Sequence, residues 1–473
     1  MTTNEIRNRA CGNSPLKNYW RKMMRENPNE KKREHFASQF GLVMAAVGSA
    51  VGLGNVWRFS YITGINGGGA FLVIYIVCVL LVGVPVLISE LTIGRKSGFS
   101  SVAAFKTLAP GSFWWLVGAL EVFASTLIIS YYPVVAGWTL GYVLESLTDW
   151  SFVTADPAAT FAAFSSGWKA FVAAAAALLC SMLIVLGGVT SGIEKWSSLL
   201  MPALGVILLA LLARSLSLPG AFEGLSFLLQ PDFSKLGVRS VLDALGHTFY
   251  SLSLGMGIMI TYASYMKKDV DLALAAVSII TLDTLVALLA GLAIFPTVFA
   301  LGFDPAQGVG LAFVTLPAAF AKIPAGWLFS ALFFLLLFIA ALTSLISLLQ
   351  VPIAFLEDSA GLSRTKAALV VCTVATVLGV PAVLSFGPMA DVTFLGYTWF
   401  NLLDTLANVV LMPLAGFLGI MFIIFRFGVD ASLAEFLTGA KKQDNLLARI
   451  YSPAIRWIAP VAMSLILLHT LSR

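Results

Sequence analysis

The sequence predicts an all-α polytopic membrane protein: two inverted five-helix repeats with broken first and sixth helices, plus one extra C-terminal helix. Three observations predict it. Of 473 residues, 59% are apolar and 11% are charged, where soluble domains carry roughly 25% charge. Long runs such as 70–88 are apolar without alternation; a bilayer span needs about 20 such residues, and lipid-facing backbone must pair within its own helix or in a closed barrel. Finally, two runs are interrupted by the same glycine pattern.

Apolar runs bounded by Gly, Pro and charge give eleven spans, at residues 38–61, 69–93, 113–144, 169–188, 196–214, 240–266, 273–300, 325–356, 366–384, 400–427 and 454–471. Nine Lys/Arg precede the first span, and 22 of the 29 fall on that side once the spans alternate. Cytoplasmic segments carry this excess, so the N-terminus is inside and the C-terminus outside, in a multi-pass protein of the cell inner (plasma) membrane. The charge of +5 thus reflects membrane topology and not nucleic-acid binding. The chain has four divisions: a basic cytoplasmic extension (1–37), expected to be disordered; a first repeat (38–239); a second, inverted repeat (240–427); and a cytoplasmic loop with the eleventh span (428–473). Cys11, Cys78, Cys180 and Cys372 show no paired spacing, so neither a disulfide framework nor a metal cluster is expected.

The first span contains Gly52-Leu53-Gly54-Asn55 and the sixth Ser253-Leu254-Gly255-Met256-Gly257. Glycine costs about 1 kcal/mol inside a helix, so each pair marks an unwinding point. Unwound backbone at membrane depth must line a cavity or be buried in protein. Five spans separate the breaks, and because five is odd the second unit enters from the opposite face. That is the plan of a transporter with its sites where the broken helices meet. A channel would need a continuous polar ring along a pore, and no hydrolase or metalloprotease motif is present, so no enzyme is expected. Asp283, inside the apolar stretch 275–296, marks a functional site by its cost alone. Ala340, Thr343 and Ser344 share one helix face.

The runs 48–59 (GSAVGLGNVWRF), 66–71 (NGGGAF), 251–262 (SLSLGMGIMITY) and 350–358 (QVPIAFLED) resemble the neurotransmitter:sodium symporter family, in its bacterial, eleven-span amino-acid branch. The resemblance covers about residues 33–427. It implies a sodium-coupled importer of hydrophobic L-amino acids, aromatic ones among them, working by alternating access in which spans 1, 2, 6 and 7 rock against a scaffold. Sodium is the only cofactor implied, at two sites. The first would use Ala50, Asn55, Ser251 and Asp283; the second Gly48, Val51, Ala340, Thr343 and Ser344. Substrate would meet Ala50, Leu53, Gly54, Ile128, Tyr132, Val135, Tyr250, Ser251, Ser253, Met256 and Leu348. Gates would pair Arg58 with Asp404 outside, under a Tyr250 lid, and Arg33 with Asp358 inside. Glu90 matches the acid that supports the broken sixth helix. The chain departs from the pattern at Asp283, where relatives often have Asn; at Ala287, where chloride-independent relatives place an acid; and at His247, where relatives commonly have glutamine. The first departure suggests that the Asp283 carboxylate replaces chloride.

Overall fold

The computed structural model describes residues 34–304, 310–440 and 446–471. The chain divides into residues 1–34 and 35–473, and every spanning helix belongs to the second part. Most of the basic extension, the expected gate residue Arg33, and Lys441, Lys442 and Arg473 lie outside the described residues.

Nine long apolar helices are found among the described residues: Gly69–Ser97, Trp115–Thr148, Trp168–Leu186, Val189–Leu216, Leu272–Ala300, Gly326–Ala360, Arg364–Leu384, Trp399–Phe427 and Leu446–Leu468. They are spans 2–5 and 7–11. The fifth and eleventh begin earlier than the sequence suggests, at Val189 and Leu446, because their polar first turns remain helical. The first span is Gln39–Ala50 and Gly54–Ile65, bent by 51°. The sixth is Val238–Ser251 and Ile258–Ala263, separated by the non-helical Leu252–Gly257. Its halves are too short to register as a span by length, so only the glycine pattern reveals it. Exposed Val370, Val374 and Val377 form a stripe at helical spacing on the ninth span, as a lipid-facing surface requires.

The breaks are fixed by backbone geometry. Val51 leaves the helix at φ −74°, ψ 93°. In the sixth span Ser253, Gly255 and Gly257 all have positive φ, at 53°, 73° and 72°. Two of these are glycine, which alone takes that region freely. A methyl group on Gly255 would also collide with the Met412 carbonyl oxygen. The freed amide of Gly255 donates to Glu90 Oε1 at 2.7 Å. Elsewhere, Gly94 of the second span lets the Ile260 carbonyl approach where a Cβ would otherwise stand.

Between the tenth and eleventh spans, the helix Val429–Leu437 places Glu435 beside Arg95 (2.9 Å), Lys96 (3.3 Å) and Lys268 (3.3 Å). Burial opposes the charge on Glu435, but Arg95 and Lys268 outweigh it and hold its carboxyl below the ordinary glutamate range. Arg95 also donates to the Val270 carbonyl at 2.8 Å and to the Glu435 carbonyl.

Gly255→Ala is expected to cost roughly 1–2 kcal/mol for the left-handed backbone plus about 1–3 kcal/mol for the collision. Detergent-solubilised protein should therefore unfold several degrees lower than wild type. Gly205→Ala, in open space on the fifth span, should not lower it. Equal melting of Gly255→Ala and wild type would show that the sixth span is not broken in this way.

Candidate ion and substrate site

A helix leaves its last four carbonyls and first four amides without helical partners. At both breaks these ends meet in mid-span. The inner half of the first span and the first half of the sixth present carbonyls, which suit a cation. The other two halves present amides and a positive dipole end, which suit a carboxylate.

Around Asp283, fully buried on the seventh span, three side chains from three other spans converge. Ser251 Oγ lies 2.9 Å from both carboxylate oxygens. Asn55 Nδ2 is 2.7 Å from Oδ1 and 3.1 Å from Ser251 Oγ, while its Oδ1 accepts the Gly52 amide at 3.1 Å. Tyr75 OH reaches Ser251 Oγ at 3.2 Å and Asp283 Oδ2 at 3.3 Å. A single buried carboxylate thus sits in oxygen-rich surroundings with no cationic side chain bonded to it among the described residues, the environment of a hard-cation site. Asn55, Ser251 and Asp283 are brought together as expected from the sequence. Tyr75 is not among the expected residues, because a tyrosine in an apolar run looks ordinary.

A second cluster joins the first and eighth spans. Ser344 Oγ lies 3.3 Å from the Ser49 carbonyl and 3.1 Å from that of Ala340. Thr343 Oγ1 donates to Ile339 or Ala340, both at 3.1 Å. A hydroxyl that donates to its own helix still offers lone pairs. Gly48 packs on Thr343, with room for only a tight Cβ (3.2 Å), and Val51 is buried at the break.

Between the clusters lies a cavity of about 360 Å³, lined by Ser49, Ala50, Gly52, Gly54, Ile128, Tyr132, Tyr250, Ser253, Met256, Ile258, Ser344 and Leu348. Its polar end holds Tyr132 OH, 3.4 Å from the Leu53 amide. Ser253 Oγ ties the two breaks together through the Ser49 carbonyl at 2.9 Å. Leu53, Val135 and Ser251, expected at the substrate, do not line this cavity, whereas Ser49, Gly52 and Ile258 do. A cavity of about 450 Å³ opens elsewhere among Leu208, Arg214, Ala290 and Phe329; it touches neither glycine break and gathers no comparable polar groups.

The model of the sodium:neurotransmitter symporter family matches residues 33–158 and 166–472. The chain belongs to this family. It is 38% identical over 445 residues to YhdH, described as an uncharacterised sodium-dependent transporter, from Bacillus subtilis, covering 93% of this chain and 98% of that one. An uncharacterised sodium-dependent transporter of Methanocaldococcus jannaschii is 37% identical over 421 residues, covering 84% and 83%. The crystal structure of MhsT in complex with L-phenylalanine matches with a TM-score of 0.85 and 42% identity, over 93% of this chain and all of that one. The protein is therefore a sodium-coupled membrane symporter with the inverted-repeat fold, and not an enzyme.

In this symporter Arg58 and Asp404, which the resemblance pairs as a gate, are near one another without a direct ion pair. Arg58 lies 4.6 Å over the Tyr250 ring, and Asp404 accepts from Asn408 at 2.6 Å. Asp358, the expected partner of Arg33, has its Oδ2 accept the Ser100 amide at 2.8 Å. Phe36 is buried edge-on against Tyr262 and Tyr265, at 5.8 and 6.4 Å, and its amide donates to the Tyr265 carbonyl at 3.2 Å. Glu194 of the fifth span accepts the Ala37 and Ser38 amides at 2.7 and 3.0 Å. Glu194 is inconspicuous in the sequence, since an acid beside Lys195 looks like an ordinary loop charge. His247 is buried against the Phe59 and Tyr75 rings (5.7 and 5.2 Å) without a hydrogen-bond partner for either nitrogen among the described residues.

Ser251→Ala removes a hydrogen bond to a buried charge, worth about 1.5–3 kcal/mol. The variant should melt lower than wild type in choline, and sodium should raise its melting temperature less. Comparing the sodium-induced increment in wild type and variant checks this; equal increments would remove Ser251 from the ion site.

Proposed function

We propose that this symporter imports hydrophobic L-amino acids, aromatic ones among them, with two sodium ions and without chloride, by alternating access across the cell inner membrane, its N-terminus in the cytoplasm. The observation that carries this proposal is the cavity bounded by both helix breaks. Its lining combines polar groups, the Tyr132 hydroxyl beside the Leu53 amide among them, with the apolar Ile128, Met256, Ile258 and Leu348. An amino acid has the same division. Its carboxylate would lie at the Leu53–Gly54 amides and Tyr132, and its ammonium at the carbonyls of Ala50, Tyr250 and Ser251, with Ser253 nearby. Thioether and branched side chains would surround the side chain, and sulfur packs well on rings. The match to a structure with bound L-phenylalanine supports an aromatic cargo.

Sodium at the first site would displace Asn55 Nδ2 from Asp283 and draw the amide oxygen, since a cation accepts only oxygen there. Asp283 supplies the negative charge that a chloride ion would otherwise bring to such a site. The second ion would lie among Gly48, Val51, Ala340, Thr343 and Ser344. With a zwitterionic substrate, each sodium carries one net charge, worth about 2.3 kcal/mol per 100 mV. Two ions supply roughly 4.6 kcal/mol, or about a thousandfold accumulation from potential alone.

In a screen of the twenty amino acids on purified protein, the hydrophobic ones should bind in sodium and not in choline, with or without chloride. Binding confined to polar amino acids would overturn the substrate class. Tyr132→Phe deletes one hydrogen bond to a carboxylate and should weaken binding about tenfold or more; unchanged affinity would move the carboxylate elsewhere. In proteoliposomes, Asp283→Asn should lose most uptake in gluconate medium and recover some in chloride. Uptake equal to wild type without chloride would end the charge-replacement idea.

A further inference from the structure

Two buried acids face one small cavity beside the broken sixth span, which shares no lining residue with the substrate cavity. Glu90 of the second span and Glu121 of the third line it together with Ser89, Phe105, Ile260, Gly416 and Ile420. Both are at least nine-tenths buried, with 5% and 1% of their surface exposed. Each grips the break: Glu90 takes the Gly255 amide, and Glu121 lies against Gly257, whose added Cβ would fall 3.2 Å from Glu121 Oε2. Ser125 of the same third span donates to the Met256 carbonyl at 2.8 Å. Glu90 Oε2 and Glu121 Oε2 have no hydrogen-bond partner among the described residues.

No cation faces the pair from any described element packed on it. The second span contributes Ser89, bonded to Tyr451 of the eleventh span at 3.0 Å, and Arg95, which is committed to Glu435. The helix Ser101–Leu108 contributes Ser101, whose hydroxyl is aimed at the Gly257 carbonyl at 3.5 Å; its Lys106 lies over Trp115 instead. The sixth span contributes Gly255, Gly257 and Ile260, and the tenth Gly416, Gly419 and Ile420, none of which titrates. Two unpaired carboxylates cannot both stay ionised in such a place.

We propose that Glu90 and Glu121 form a proton-binding site that holds one proton while the segment Leu252–Gly257 is seated as observed. The proton sits mainly on Glu121, because Glu90 receives the Gly255 amide and is the better stabilised anion. Glu90 and Glu121 lie about two helical turns from the cytoplasmic ends of their spans, at Ser97 and Trp115, so movement of the segment would open the pair toward the cytoplasm and release the proton there. Binding and release are a simple acid dissociation, Glu121–COOH to Glu121–COO⁻ plus H⁺, with water as acceptor. The link to transport rests on the alternating-access proposal; the proton site itself does not.

Infrared spectroscopy of purified protein at about pH 7 reads the site directly. Wild type should show a carboxylic-acid C=O band in the non-aqueous range that Glu121→Gln lacks and that Glu90→Gln shifts. Persistence of an unshifted band in both variants, or its absence from wild type, would overturn the proposal, including the alternative that a metal cation bridges two carboxylates. A second arm measures sodium-driven uptake of phenylalanine in proteoliposomes of varied internal pH. Wild type should slow severalfold between about pH 6 and pH 8.5, and Glu121→Gln should change less than about twofold. Equal pH profiles would overturn the coupling even with the band assigned. Absence of uptake by wild type at any pH, with the band present, would sink the transport proposal and leave the proton site standing.

Discussion

Backbone amides and carbonyls released inside a membrane must find partners, and this constraint organises the centre of the molecule. Each break in a spanning helix exposes groups that lipid cannot satisfy. The partners are supplied from neighbouring spans: Glu90 to the Gly255 amide, Ser125 to the Met256 carbonyl, Asn55 to the Gly52 amide, and Ser253 between the two breaks. The groups left over are the ones available to cargo. Position along the chain and chemistry at the site therefore have one cause.

The fold is largely legible in the sequence because its signals are local. Glycine pairs in apolar runs are costly wherever they fall, and their separation by an odd number of spans dictates inversion. Asp283, Glu90 and the 340/343/344 face are legible for a similar reason, since polar groups in apolar sequence stand out. What stays hidden depends on tertiary packing. Tyr75 joins the Asp283 cluster only because the second and seventh spans meet there. Glu121 reaches Gly257 only through the crossing of the third span with the break, and Glu194 caps a helix more than 150 residues away. Leu53 and Val135 have the composition of pocket residues, but their side chains are buried among neighbours and leave the cavity to Ser49, Gly52 and Ile258.

Charge is distributed with the same economy. Asp283 is surrounded by uncharged oxygen and amide groups, which leaves its field for a mobile cation. Glu435 is neutralised by three basic side chains and serves as a fastening. Arg58 lies against an aromatic face, where attraction is modest, about 0.5–2 kcal/mol, and contact can be broken without large cost.

The Ile260 carbonyl is seated on Gly94, one residue before Arg95, so the backbones of the second and sixth spans meet with no side chain between them. Arg95 is in turn anchored to the 429–437 helix. The half-helix that follows the sixth-span break and a helix outside the spans are thereby fastened to adjacent residues of one span.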